Sequence, residues 1–287
     1  PMNVGKVQNQ GVEFDVEAVL VSTKNIEWSI YGNITYVDGK VVRLPDSYLK
    51  EDGTRWYAGS SYILKEGGSL HQAYMPEYAG VDAETGKALY YLDPADHSKG
   101  TTATYSQDLA GDLGDISVKC YGGFGTSLNL YGVDLGVQFA YQFGGKAYDG
   151  TYQEMMHAGD KPGHIWSVDI LNAWTPENTE TDVPRLCASD SYDQQTSSRW
   201  LVSSNYLSLN NVTVGYTLPS KWTNKIGVSK ARVFFQGDNL ALFSARQGYD
   251  PRQTQNALSY GVGISTSTGN FVYSLTRTFS GGISISF

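Results

Sequence analysis

At 287 residues and a formal net charge of −8, the chain is long enough for one large β domain or two small ones, and its acidity excludes nucleic acid as a partner, because phosphate binding requires a basic face. With 21 tyrosines, 32 glycines and only 17% charged residues, the composition leans towards β structure. No stretch approaches the roughly 18 consecutive apolar residues of a membrane helix. Barrel strands escape that test, since they are apolar only at alternate positions and leave the mean hydropathy negative, as it is here.

The start, Pro1-Met2-Asn3, has neither a basic n-region nor an apolar h-region, so a mature or truncated chain is expected. The first strong pattern follows. Val12, Phe14, Val16, Ala18 and Leu20 alternate with Glu13, Asp15 and Glu17. After a break at Lys24-Asn25, Ile26, Trp28, Ile30, Ile34 and Tyr36 alternate with Glu27, Ser29, Asn33 and Thr35. A period of two held over roughly ten residues is longer than ordinary globular strands, which run about five or six. One apolar face and one bearing carboxylates suit a wall between lipid and a wet lumen.

Ile116–Cys120 reads as a strand leading into a glycine-rich stretch. Tyr131, Val133, Leu135, Val137, Phe139, Tyr141 and Phe143 then form a stripe with aromatics at both ends, as the two girdles of a membrane barrel would produce. From Tyr148 to Arg199 the pattern dissolves into Gly, Pro, Asp, Asn and Thr, with a short helix expected around His164 to Ala173. A connection of about fifty residues usually has a function of its own. Strands resume at Leu207–Tyr216 and Ala231–Phe235, separated by the short link Pro219-Ser220-Lys221-Trp222. A second polar loop is expected over about 244–270. In the last segment Phe279, Ile283, Ile285 and Phe287 share one face, and Ser280, Ser284 and Ser286 the other. A chain that stops on an aromatic in mid-alternation has its end built into the sheet, as a barrel's closing strand would.

Catalytic signatures are absent or weak, and the chain is not expected to be an enzyme. Gly80–Lys87 resembles a phosphate loop but has five residues between its glycines and Ala88 where Ser or Thr would bind magnesium, so it reads as a β-turn. His71, His97, His157 and His164 are scattered singly, without ligand spacing. Ser47-Tyr48-Leu49-Lys50 lacks the partner motifs of a Ser-x-x-Lys enzyme. Asp93, Asp96, Asp108, Asp112 and Asp115 would allow loop calcium, but the spacing of an EF-hand is missing; no metal or cofactor is assigned. Cys120 and Cys187 are too few for a disulfide framework. Trp166, Asp169, Asn172 and Trp174 cluster in the long loop. They admit two readings: a sugar- or ligand-contacting set, or tryptophans that pin a small helix to the rim.

Several segments, in order, resemble the SusC-like (SusC/RagA) TonB-dependent transporters of the Bacteroidetes outer membrane. Asn9-Gln10-Gly11-Val12-Glu13 is similar to that family's strand start, and Tyr78–Gly86 to its hairpin. The best match is Ser204–Pro219, followed by Ala231–Leu240, Gly248-Tyr249-Asp250-Pro251 and Arg277–Gly282. Departures at Ser208, where members often carry Arg, and at Ser274, near which they often carry Pro, leave the nutrient open. The resemblance implies an all-β chain: about eight C-terminal strands of a transmembrane antiparallel β-barrel of roughly 22 strands with long extracellular loops. Residues 1–287 would then all be barrel and loops, with the plug domain and TonB box not in this chain. Lipid does not tolerate open sheet edges, so the strands must close against the rest of the transporter. Implied partners are that remainder, a SusD-like surface lipoprotein, TonB through the missing N-terminal part, an oligosaccharide or peptide substrate, and membrane lipid or lipopolysaccharide. Two rival readings are a passive porin or autotransporter barrel and a soluble carbohydrate-binding β-sandwich.

Overall fold

In a computed structural model, residues 5–190, 194–246, 248–252 and 275–287 are described. Seven long strands form one antiparallel sheet, each hydrogen-bonded to the next in this order: β1 (Lys6–Ser22), β2 (Ile26–Arg43), β3 (Cys120–Leu130), β4 (Val133–Phe143), β5 (Tyr206–Thr217), β6 (Lys230–Ser244) and β7 (Thr278–Ser286). Among the described residues the sheet is not closed, and β1 and β7 are its edges. The strand expected at Ile116–Cys120 lies elsewhere; residues 116–119 are irregular and the strand is β3, which runs through the glycine-rich stretch.

The register turns the alternation of single strands into continuous rows. Ala18, Ile30, Thr126, Val137, Val212, Gly237 and Phe279 stand opposite one another across all seven strands. Two residues on, Trp28, Leu128, Leu135, Val214, Phe235 and Gly281 form the next row. Between these two lies the polar row of the other face: Val19, Ser29, Ser127, Gly136, Thr213, Gln236 and Ser280. A one-residue slip in any strand would exchange its faces. The irregularities around Asn210 and Asn239 fall opposite each other in β5 and β6, so the faces stay in phase beyond them. The eleven residues from Val133 to Phe143 rise about 33 Å over their ten steps, or about 25 Å of height at a barrel tilt near 40°. That matches the apolar band of a membrane barrel.

Connections at the two ends of the sheet differ. At one end they are short: residues 23–25, 131–132 and 218–229. Tyr131 (φ 51°) and Gly132 (φ 88°) are both left-handed, the type I′ geometry whose twist suits a two-residue hairpin. At the other end three long connections emerge, 44–119, 144–205 and 245–277. The first holds a four-stranded sheet (Trp56–Ala58, Tyr62–Lys65, Gln72–Pro76, Ala110–Asp115) and a three-stranded one (Tyr78–Val81, Ala88–Tyr91, Thr101–Thr102). The second pairs Lys146–Tyr148 with Leu201–Ser203 and carries α1 (Gly150–Met155). The helix expected near His164–Ala173 is a single 3-10 segment, Val168–Asn172. Of the expected loop 244–270, Ser244 ends β6, and residues 247 and 253–270 lie outside the described residues.

The buried clusters lie in this loop layer and not in the wall. Met156, Ile170, Ala173, Val183 and Trp200 form one, and Ala73, Met75 and Ile116 the other. The apolar rows of the wall remain open: Val214 is 44% exposed, Phe235 56% and Phe279 62%.

Candidate functional site: the loop layer and the wall beneath it

Tyr148 packs against both buried clusters, joining the first long connection to the second. Its burial pushes the phenol pKa upward. Beside it, Asp149 caps α1, accepting the Tyr152 amide at 2.9 Å, and pairs with Arg246 from the third connection. The Arg246 guanidinium also lies over the Tyr152 ring, 4.1 Å from its centroid. Tyr152 in turn donates its hydroxyl to Asp169 at 2.8 Å. Burial, then that hydrogen bond to a carboxylate, pushes the Tyr152 pKa up to about 12. A few residues on, Asp250 takes a two-pronged bond from Arg252, both contacts 2.8 Å. Burial works against the Asp250 charge, but the Arg252 fork and backbone N–H groups hold its carboxyl below the usual range.

The four loop residues singled out in the sequence do not converge on one concave site. Trp166 stacks on His157 at 4.9 Å and donates its indole N–H to the His157 carbonyl at 2.8 Å. Trp174 reaches the other way, donating to the Ala83 carbonyl at 3.1 Å. Asp169 is held by Tyr152, and the Asn172 carbonyl accepts from Thr181 and Asn178. What the segment does present is an exposed apolar run: Ile165, Trp166, Val168 and Leu171.

Gly80–Lys87 forms a hairpin turn. The Asp82 carboxylate accepts the Glu84 and Thr85 amides, which lower its pKa, and Gly86 takes φ 72°. Of the acidic residues, Asp93 is paired with Lys99, Asp112 with Lys65, and Asp115 with Lys119. Among the described residues no group of three or more His, Cys, Asp or Glu side chains is placed to hold a metal ion. Cys120 and Cys187 are free thiols. Phe279, Ile283 and Ile285 on β7, and Phe287 one residue past its end, are all more than half exposed, along the open edge.

A cavity of about 490 Å³ lies where the first connection folds back over the polar face of the wall. Asn9, Val37, Gly39 and Tyr121 contribute from β1, β2 and β3, all in register with the polar rows. Leu70 and Ile116 line it from the loop layer. Lys146, whose backbone N–H is tied to the Ile116 carbonyl at 3.0 Å, stands at its border. This cavity was invisible in the sequence, because its walls come from five segments spread over more than a hundred residues.

The chain matches known proteins along nearly its whole length. It is 27% identical over 308 residues to TonB-dependent receptor P3 of Formosa agariphila, covering 99% of this chain and 29% of that protein. It is 23% identical to TonB-dependent receptor SusC of Bacteroides thetaiotaomicron, covering 87% of this chain and 24% of that one. Among solved structures it superposes on one described as the RagAB peptide transporter, with a TM-score of 0.80 and 26% identity over 99% of this chain and 30% of that chain. A RagAB peptide importer in a closed-closed state gives a TM-score of 0.79 and 27% identity. No protein-family model matches the chain. The chain thus spans about three tenths of the length of TonB-dependent receptor P3 and of the RagAB transporter chain.

Proposed function

From a chain that matches the C-terminal part of TonB-dependent receptor barrels, we infer a role in TonB-dependent active import of nutrients, oligosaccharides or peptides, across a bacterial outer membrane. The single observation that carries this reading is the pair of continuous faces, apolar and polar, running in register across seven strands with every long connection at one end. A soluble sandwich would bury the apolar rows against a second sheet; here they stay open, as a lipid-facing wall requires. The chain contributes wall, polar lining and extracellular loops, and no covalent chemistry.

In this reading the edges β1 and β7 pair with the transporter's other strands, and Phe279, Ile283, Ile285 and Phe287 belong to the closing strand. A plug and the TonB-contacting segment come from the rest of the transporter. The exposed run of Ile165, Trp166, Val168 and Leu171 faces substrate or a SusD-like surface lipoprotein, and Asp169, Asn172 and Trp174, bonded to Tyr152, Thr181 and Ala83, hold that segment in place. RagAB, a peptide importer by description, supports that arrangement by its likeness.

The test is growth of the source bacterium, with and without the gene, on defined oligosaccharides or peptides as the limiting nutrient, repeated in a strain lacking TonB. Import predicts a growth defect on at least one nutrient class, and the same defect without TonB. Growth that depends on the gene but not on TonB would replace active import with a passive pore.

A further inference from the structure

The short-connection end of the sheet carries a surface that import does not use. Residues 218–229 join β5 to β6 through α2 (Ser220–Thr223) and a single 3-10 turn, Asn224–Ile226. The Trp222 amide donates to the Pro219 carbonyl at 2.8 Å, the Val228 amide to the Thr223 carbonyl at 3.1 Å, and Gly227 turns the chain at φ 75°. Thr223 and Val228 are buried in this frame, yet Trp222 is 64% exposed and Ile226 76%. A hydrogen-bonded, packed frame thus holds two large apolar side chains outward, about one helical turn apart. Ala231, which shares the apolar face of β6 with Val233 and Phe235, is buried where those two are open, and α2 packs on the start of that strand. The connection therefore leans to the apolar side of the wall, whose rows continue beside it in Tyr216 and Val233.

The charge of the stretch is as one-sided as its exposed side chains. No Asp or Glu occurs from Gln194 to Gly237, in a chain with 29 acidic residues and a net charge of −8. Lys221 and Lys225 are both exposed, each next in sequence to one of the two exposed apolar residues. Asp134 on β4 is already paired with Arg232, on the polar face. Two cations beside two apolar side chains, at the foot of an apolar wall, match the boundary layer of a bilayer. There, rings and aliphatic groups enter the hydrocarbon edge while lysines reach phosphate. A water-soluble partner would match the cations but not the continuity with lipid-facing rows.

We propose that the 218–229 connection seats an anionic phospholipid of the periplasmic leaflet, the side that the short turns of such barrels face. Trp222 and Ile226 enter the acyl boundary, and Lys221 and Lys225 bind a headgroup phosphate that no cation of the lipid itself compensates. The proposal rests on the reading of the wall as a membrane barrel and adds a lipid-selective contact to it.

The test uses the full-length transporter in vesicles of phosphatidylcholine and phosphatidylglycerol in equal amounts. The fluorescence difference between wild type and Trp222→Phe isolates this indole. That signal should be quenched by phosphatidylcholine brominated high on its acyl chains and spared by aqueous iodide. Native mass spectrometry from detergent should show phosphatidylglycerol held about fivefold less tightly for each of Lys221→Gln and Lys225→Gln, the worth of one cation at an anionic surface. Phosphatidylcholine retention should not change, and neither should thermal melts, since both lysines are exposed. Quenching by iodide and not by brominated lipid would overturn the proposal and leave the turn to a periplasmic protein. Equal retention of the two lipids by the wild type, or phosphatidylglycerol binding indifferent to both lysines, would overturn it as well. An iodide-quenched Trp222 with TonB-dependent growth intact removes only this seat. A lipid-quenched Trp222 with growth independent of TonB removes only active import. Full-length protein that does not float with the vesicles removes the barrel reading and this proposal with it.

Discussion

Trp174 packs directly against Gly86, two residues from different long connections. A Cβ on Gly86 would stand 2.4 Å from the indole Cε3, and the indole N–H is already committed to the Ala83 carbonyl. Substituting Gly86→Ala therefore meets two penalties at once. A left-handed backbone at φ 72° costs an alanine about 1 kcal/mol, and displacing the ring costs about 1–3 kcal/mol more. Hydrogen exchange on the full-length protein should show faster opening of residues 144–205 while β3, β4 and β5 keep their protection. Unchanged exchange in the loops would refute the lock.

The Arg246–Asp149 pair is the second such junction. Asp149 is 5% exposed at its side chain, so removing Arg246 leaves a buried carboxylate without its partner. Arg246→Ala should cost about 3 kcal/mol locally. The expected readout is proteolytic nicking near α1, and the double variant Arg246→Ala with Asp149→Asn should regain part of the loss.

Alkaline pH should loosen the same region. The Tyr152 pKa rises from 10.0 to about 12 in the folded chain, so the neutral phenol is the form that folding favours. Its contribution is fully present below about pH 10 and is lost as pH climbs through 12. A tyrosinate absorbance titration of the wild type should show a late-ionising tyrosine that Tyr152→Phe deletes. The same count of late-ionising groups in both proteins would contradict the assignment.

On the wall, Val137 and Ser127 stand in adjacent rows of opposite faces. If the apolar rows meet lipid, Val137→Lys at mid-height should cost about 2–4 kcal/mol and reduce the amount of full-length protein recovered in outer membranes. Ser127→Lys should be nearly silent. Equal tolerance of both lysines would place water on both faces.

How much of this was legible in the sequence depended on side chains that mark a face. β1, β2, β4, β5 and β7 announce themselves because Phe14, Trp28, Val137, Val212 and Ile283 each sit two residues from another apolar group. β3 does not, because Gly122, Gly123 and Gly125 erase the alternation on both faces. The loop layer was harder still. Its strands are two to six residues long, too short for periodicity to register. Trp200, fully buried and central to one cluster, follows a run of Gln, Thr and Ser that gives no hint of a core. The tryptophans that drew notice, Trp166 and Trp174, are pinned by backbone carbonyls of segments remote from each other, a matter of tertiary packing.

Tyr148 touches both clusters of the loop layer, and this has a consequence for inheritance and for engineering. The two long connections do not evolve as independent cassettes, because each supplies part of the other's interior. A chimera that grafts residues 44–119 from a related transporter, without the matching 144–205, inherits a mismatched partner for this ring. Exchanging both together is the unit that should carry a new specificity intact, and lineages that changed their diet should show the two segments varying in concert.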